Sequence, residues 1–254
     1  MATQYKIDGI AHMSLGAHLE ELRTRLMLGL MGLAAAFAFS LLAGRWFVRV
    51  ILSPYEMAMR AAGIEAKLQA FQPAEPFVVY MKASLVLAVL ISSPWLFYQL
   101  WAFVSAGLHP HERRFARLVA PASAALFVAG VLFFLLGVAP WMFQFFMQFN
   151  LGLDYLSYQP GVDKTVDFIL SLALVFGLAF QTPVAIVFAE RLGLVSVAGL
   201  IRARKYVFLS AFVVGAMLTP SPDMLSQIAL ALPLYILYES GLLVCRAGRK
   251  KQKA

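Results

Sequence analysis

Residues 118–146 read LVAPASAALFVAGVLFFLLGVAPWMFQFF, with no charged side chain between Leu118 and Phe146. A helix rises ~1.5 Å per residue and the hydrocarbon core of a bilayer is ~30 Å thick, so this stretch can cross a membrane with length to spare. Pro121 and Pro140 lie inside it and predict kinks rather than ends.

Working outward, five further apolar stretches flank it: 26–43, 77–103, 168–189, 207–218 and 224–244. Together they predict an all-α polytopic membrane protein with six transmembrane helices, the last two short, in a single membrane domain over residues 1–254. Residues 45–75 form the longest connection and read as an outside cap loop. Within it Trp46, Phe47, Val50 and Ile51 suggest an interfacial helix.

Composition agrees. The 254 residues are 61% hydrophobic and 13% charged, against about 45–50% and about 25% in soluble domains. Residues 1–24 are mixed polar, with Asp8, Glu20 and Glu21, which predicts a retained first span rather than a cleaved leader. The net charge of +8 falls in short loops and a tail, which argues against nucleic acid. Fifteen of the 21 Lys and Arg residues fall on the side of both termini and five on the opposite side, with Lys82 inside a span. The positive-inside rule then makes both termini cytoplasmic.

Chemistry is scarce. No His, Cys and carboxylate set has metal-ligand spacing, and neither a phosphate loop nor a nucleophile elbow occurs. The reading is therefore not an enzyme and without a cofactor. A secondary transporter or channel, with Gln181 and Lys82 lining a path, is the alternative. Such proteins usually place several ionisable groups mid-span, and the one candidate here is Lys82, near a span end.

Charged residues crowd two gaps, His18-Leu-Glu-Glu-Leu-Arg-Thr-Arg25 and His111-Glu-Arg-Arg114. Glu21 and Arg25 stand at i,i+4 and Glu20 and Arg23 at i,i+3, spacings that stabilise a helix by ~0.2–0.5 kcal/mol per pair. Glu112 follows Pro110, the pattern of a helix start. The same carboxylates on one side of the membrane could instead hold a positively charged peptide. A carboxylate meets the planar guanidinium fork with two parallel hydrogen bonds, a fit that an ammonium lacks.

Further strings occur in order: Ser53-Pro54, Glu75-Pro-Phe77, Trp101-Ala-Phe103, Phe180-Gln-Thr-Pro183, Arg204-Lys-Tyr206, Thr219-Pro220, Pro222-Asp223 and Leu237-Tyr-Glu239. With the two gaps they resemble TatC, the multi-spanning subunit family of the bacterial twin-arginine protein translocase, from about His18 to Glu239. The resemblance implies a multi-pass protein of the bacterial cytoplasmic (inner) membrane. It implies a receptor and core subunit that binds the twin-arginine signal peptides of folded proteins at the cytoplasmic face. It also implies single-span TatA- and TatB-type partners, export driven by the proton-motive force, and is compatible with self-association.

For the residues, the resemblance implies signal-peptide binding by Glu21 and Glu112, with Arg23 steering them and Phe103 flooring the site. Gln181 and Pro183 become contacts for a partner helix or groove, and Pro54, Asp223 and Glu239 structural or assembly positions. A helix–helix hydrogen bond is the simpler reading of Gln181, an N-cap that of Asp223, and an ion pair with the basic tail that of Glu239. Three departures stand out: the family more familiarly has glutamate at Gln181, adjacent prolines where Ser221 intervenes, and often proline at Ala106.

Overall fold

The computed structural model describes residues 15–63, 65–108, 110–151, 159–218 and 224–253. Its helices are α1 (Leu15–Ala61), α2 (Glu75–Ala106), α3 (Pro110–Phe133), α4 (Ala139–Leu151), α5 (Val162–Ala179), α6 (Thr182–Arg191), α7 (Val197–Leu218) and α8 (Met224–Lys253). A π-helical turn, Phe134–Val138, joins α3 to α4. Taking α3–α4 and α5–α6 each as one candidate span, the described residues fold as six long helices. Five of the six are long and apolar enough to cross a membrane. In the sixth, α7, Arg202, Arg204 and Lys205 interrupt the apolar run.

The residues read as a cap loop, 45–75, are helical up to Ala61, and α2 begins at Glu75. The helix continues past Arg45 because Phe47, Ile51, Tyr55, Ala58 and Met59 recur at helical spacing and are buried in the main core. Tyr55 packs edge-on against Phe143 of α4 at 5.7 Å. Pro54 is buried inside α1. Its ring removes the N–H that would bond the Val50 carbonyl, and the Ser53 hydroxyl donates to that carbonyl instead, at 2.7 Å. Ser93 repeats the device before Pro94, donating to the Leu90 carbonyl at 2.8 Å.

The stretch 168–189 is likewise divided. Pro183 cannot bond the Ala179 carbonyl, α5 stops at Ala179, and α6 restarts at Thr182. Both last helices outrun their apolar stretches, because polar turns extend them: α7 has 22 residues and α8 has 30. The π turn sits immediately before Ala139 and Pro140, where a proline again breaks the i→i−4 ladder.

Small residues let the helices close up. Gly32, Ala36, Ser40 and Gly44 recur every fourth residue on α1. Against that stripe, Trp95 Nε1 donates to the Leu28 carbonyl at 2.9 Å and Ser40 Oγ to the Ser84 carbonyl at 2.7 Å. Tyr80 adds a hydroxyl bond to the Leu41 carbonyl. In a membrane, where apolar contact gives no advantage over lipid, close packing and such hydrogen bonds supply the association energy.

At the opposite end of α2 from the site below, Lys82 Nζ reaches Asp163 Oδ1 at 2.8 Å and Asp167 Oδ1 at 2.7 Å. The two aspartates are i,i+4 on the first turns of α5, so one lysine ties α2 to α5. The expected cost of Lys82→Gln is about 1 kcal/mol, read as a lower midpoint in a detergent melt. The value is small because each partner keeps a quarter or more of its side chain open. A melt unchanged in K82Q but lowered in D163N would show that the lysine contributes nothing.

Candidate functional site

Three residues of α1, His18, Glu21 and Arg25, lie at i, i+3 and i+7 and so share one face. That face meets the last turns of α2. The His18 ring stacks on Phe103 with centroids 4.6 Å apart, and Arg25 Nη1 donates to Gln99 Oε1 at 3.1 Å. Phe103 and Gln99 are themselves i,i+4, so the two contacts form an antiparallel ladder with Glu21 between its rungs. Gln99 is buried, a polar group in an apolar stretch that needs the partner it has.

Arg25 Nε donates to Glu21 Oε1 at 2.7 Å, and this oxygen is held. Oε2 has no hydrogen-bond partner among the described residues, and the Glu21 side chain is 26% exposed. Among the described residues the carboxylate is thus oriented through one oxygen and unpartnered through the other. The Arg25 cation sits beside it on the protein side.

Arg23 stands elsewhere. It is exposed, and two residues along a helix point nearly oppositely, so it does not face Glu21. The Glu20–Arg23 pair expected from spacing is absent among the described ion pairs, whereas Glu21–Arg25 is present. Instead Thr24 Oγ1 donates to the Glu20 carbonyl at 3.0 Å.

Glu112 belongs to the first turn of α3, which begins at Pro110, four residues after α2 ends at Ala106. Its side chain lies outside the described residues. The connection between the two helices passes against His18: a Cβ added at Gly107 would come within 3.3 Å of His18 Cε1.

A second constellation joins α2, α3 and the α5–α6 break. Gln181 Nε2 donates to the Ser123 carbonyl at 3.0 Å, and Trp101 Nε1 donates to Ser123 Oγ at 2.9 Å. Trp101 also stands edge-on to Phe188 at 4.7 Å. Gln181 therefore makes a helix–helix hydrogen bond. Pro183 frees the turn that lets it reach, and the Cα of Pro183 lies against Gly241 of α8, where a Cβ would come within 3.0 Å.

Glu239 pairs with Arg204 of α7, Nη2 to Oε2 at 2.6 Å, whereas the side chains of tail residues 249–254 lie outside the described residues. Tyr235 OH donates to the other Glu239 oxygen at 3.1 Å, and Tyr238 OH donates to the Leu200 carbonyl at 2.5 Å. Asp223 lies outside the described residues, as do Thr219 to Pro222.

Sequence reasoning did not single out His18, Gln99 or Ser123 as site residues. The signal for Gln99 was present: an amide side chain inside a largely apolar stretch, one turn before Phe103. Among the described residues, no group of three or more His, Cys, Asp or Glu could hold a metal ion.

The comparisons agree with this architecture. A family profile described as Sec-independent protein translocase protein (TatC) matches residues 17–233. The chain is 35% identical over 253 residues to the Sec-independent protein translocase protein TatCy of Bacillus subtilis (strain 168), covering 99% of this chain and 95% of that protein. It is 32% identical over 247 residues to the TatC protein of Aquifex aeolicus (strain VF5), covering 95% of this chain and 98% of the relative. A crystal structure of the twin-arginine translocase receptor TatC superposes with a TM-score of 0.76 at 29% identity, covering 91% of this chain and 98% of the other. With its profile match, full-length relatives and shared fold, the chain belongs to the TatC family, a non-enzymatic multi-spanning component of the Sec-independent protein translocase in the bacterial cytoplasmic (inner) membrane.

Proposed function

We propose that this chain is the receptor subunit of its translocase and binds twin-arginine signal peptides through Glu21 and Glu112. The observation that carries the reading is Glu21 itself, oriented by Arg25 through one oxygen and unpartnered through the other among the described residues, one turn along α1 from the His18 ring that stacks on Phe103. An arginine side chain can meet the open oxygen, and Phe103 offers an apolar floor to the residues that follow. Glu112, at the start of the next helix, supplies the second carboxylate for the second arginine. Arg23, on another face of α1, steers approach and does not touch the peptide. The solved relative is described as the twin-arginine translocase receptor, which supports the same reading.

Both termini are cytoplasmic in this reading, so the peptide arrives on the cytoplasmic side, where Lys and Arg are concentrated. Single-span TatA- and TatB-type subunits are its partners, with Gln181 and Pro183 near their contact. Pro54, Asp223 and Glu239 keep assembly-competent geometry, and the proton-motive force drives export. Self-association of the chain fits the same reading.

The test is a fluorescence-anisotropy titration of the purified protein in detergent with a twin-arginine peptide and its twin-lysine counterpart. The arginine peptide is expected to bind about tenfold more tightly, because lysine cannot make the forked contact. Equal affinities for the two peptides would remove the basis for the proposal.

A further inference from the structure

At the Lys82 end of the molecule, α1, α2 and the start of α5 line a cavity of about 770 Å³. Its lining includes Arg45 and Arg49 from α1, Pro76, Phe77 and Tyr80 from α2, and Val162 from α5. The volume is within the ~300–1,000 Å³ usual for small-ligand sites. Arg45 and Arg49 are i,i+4 and share a face, and both are exposed.

Neither arginine has an ion pair or hydrogen bond among the described residues. The described acids of this end are engaged elsewhere: Glu56 with Arg60, Glu65 with Lys67, and Asp163 and Asp167 with Lys82. Glu75 accepts from the Phe71 N–H at 2.8 Å. Two guanidinium groups are left facing a cavity whose other walls are apolar.

The cavity lies where the apolar part of α1 gives way to charge. Phe77, which lines it, is 65% exposed, and Trp46 and Phe71, each next in sequence to a lining residue, are 61% and 69% exposed. Exposed aromatic rings beside basic residues are typical of a membrane–water interface, where an arginine can meet a headgroup phosphate. We propose that this cavity binds an anionic phospholipid. Arg45 and Arg49 hold the headgroup phosphate in forked hydrogen bonds, and an acyl chain lies along Phe77, Val79 and Val48. The charge selects an anionic lipid over a zwitterionic one. The apolar wall selects a lipid over a free anion.

Native mass spectrometry of delipidated protein in neutral detergent tests this with phosphatidylglycerol, phosphatidylcholine and inorganic phosphate as separate probes. The parent protein is expected to retain phosphatidylglycerol about tenfold better than phosphatidylcholine, the scale of two charge-assisted contacts at a membrane surface. R45Q/R49Q is expected to lose that preference, and R60Q to keep it, because Arg60 is held by Glu56 away from the cavity. If the double variant fails to fold, R45Q and R49Q are each expected to lower the preference. A preference that survives in R45Q/R49Q or in both single variants would overturn the proposal. So would equal retention of the two lipids by the parent, or displacement of phosphatidylglycerol by inorganic phosphate.

Discussion

Replacing Glu21 and Glu112 together by glutamine is expected to weaken twin-arginine peptide binding roughly a hundredfold, while leaving the protein folded. Each carboxylate is assigned about 1.4 kcal/mol of charge-assisted contact, the low end of the range, because the site is partly open to water. Two such contacts multiply to the stated loss. Glutamine keeps the side-chain shape, so Arg25 retains Gln99 and His18 retains Phe103, and the α1–α2 ladder stays closed. The readout is a peptide titration beside a thermal melt. Arg23→Gln, on a different face of α1, is the internal control and is expected to change the affinity little. A double variant that binds like the parent would leave the receptor reading standing and move its site away from these two glutamates.

Gly130→Val is expected to destabilise the fold more than loss of the Lys82 ion pairs. A Cβ at this position of α3 would come within 2.6 Å of the Phe176 carbonyl oxygen and 3.0 Å of the Gly177 Cα. Both are backbone atoms of α5, so no rotamer change relieves the contact. Gly177 faces back across the same crossing, with Phe127 Cε2 2.7 Å from where its Cβ would be. Valine must therefore push the two helices apart and open the core around Phe134 and Phe176, whose rings stack at 5.2 Å. The expected cost is about 3 kcal/mol, the upper end for overpacking, or a midpoint lower by roughly 10 °C. Gly137→Ala, where nothing lies within 4 Å, is the matched control and is expected to melt like the parent. Equal melting of G130V and G137A would mean that α3 and α5 do not need this close approach.

The helical class was legible because long uncharged runs leave few alternatives in a membrane. The continuation of α1 through residues 45–61 was not. Arg45, Arg49 and Pro54 are ordinary signs of an ending, and only the recurrence of Phe47, Ile51, Tyr55 and Met59 argues otherwise. The break at Phe180–Gln181 was half legible, since Pro183 was noticed but the freed turn was not.

At the site, the motif containing Glu21 named the residues without their pairing. Spacing offered Glu21–Arg25 and Glu20–Arg23 as equals. Packing against α2 decided between them, because Gln99 engages Arg25 while Arg23 has no such neighbour. The Lys82 pairing was hidden for a different reason. Asp163 and Asp167 are 81 and 85 residues away in the chain, and only the docking of α5 on α2 brings them to the lysine.

The unbroken length of α1 has a mechanical consequence. From Glu21 to Arg45 the helix contains no proline, and these residues are about 36 Å apart along its axis. Such a rod turns rotation into translation. A tilt of roughly 5° pivoted at the peptide end would carry the arginines by about 3 Å, most of a side-chain contact distance. Because α1 is continuous from Leu15 to Ala61, a tilt at Glu21 is carried along the rod to Arg45 and Arg49 instead of being absorbed at a break between them.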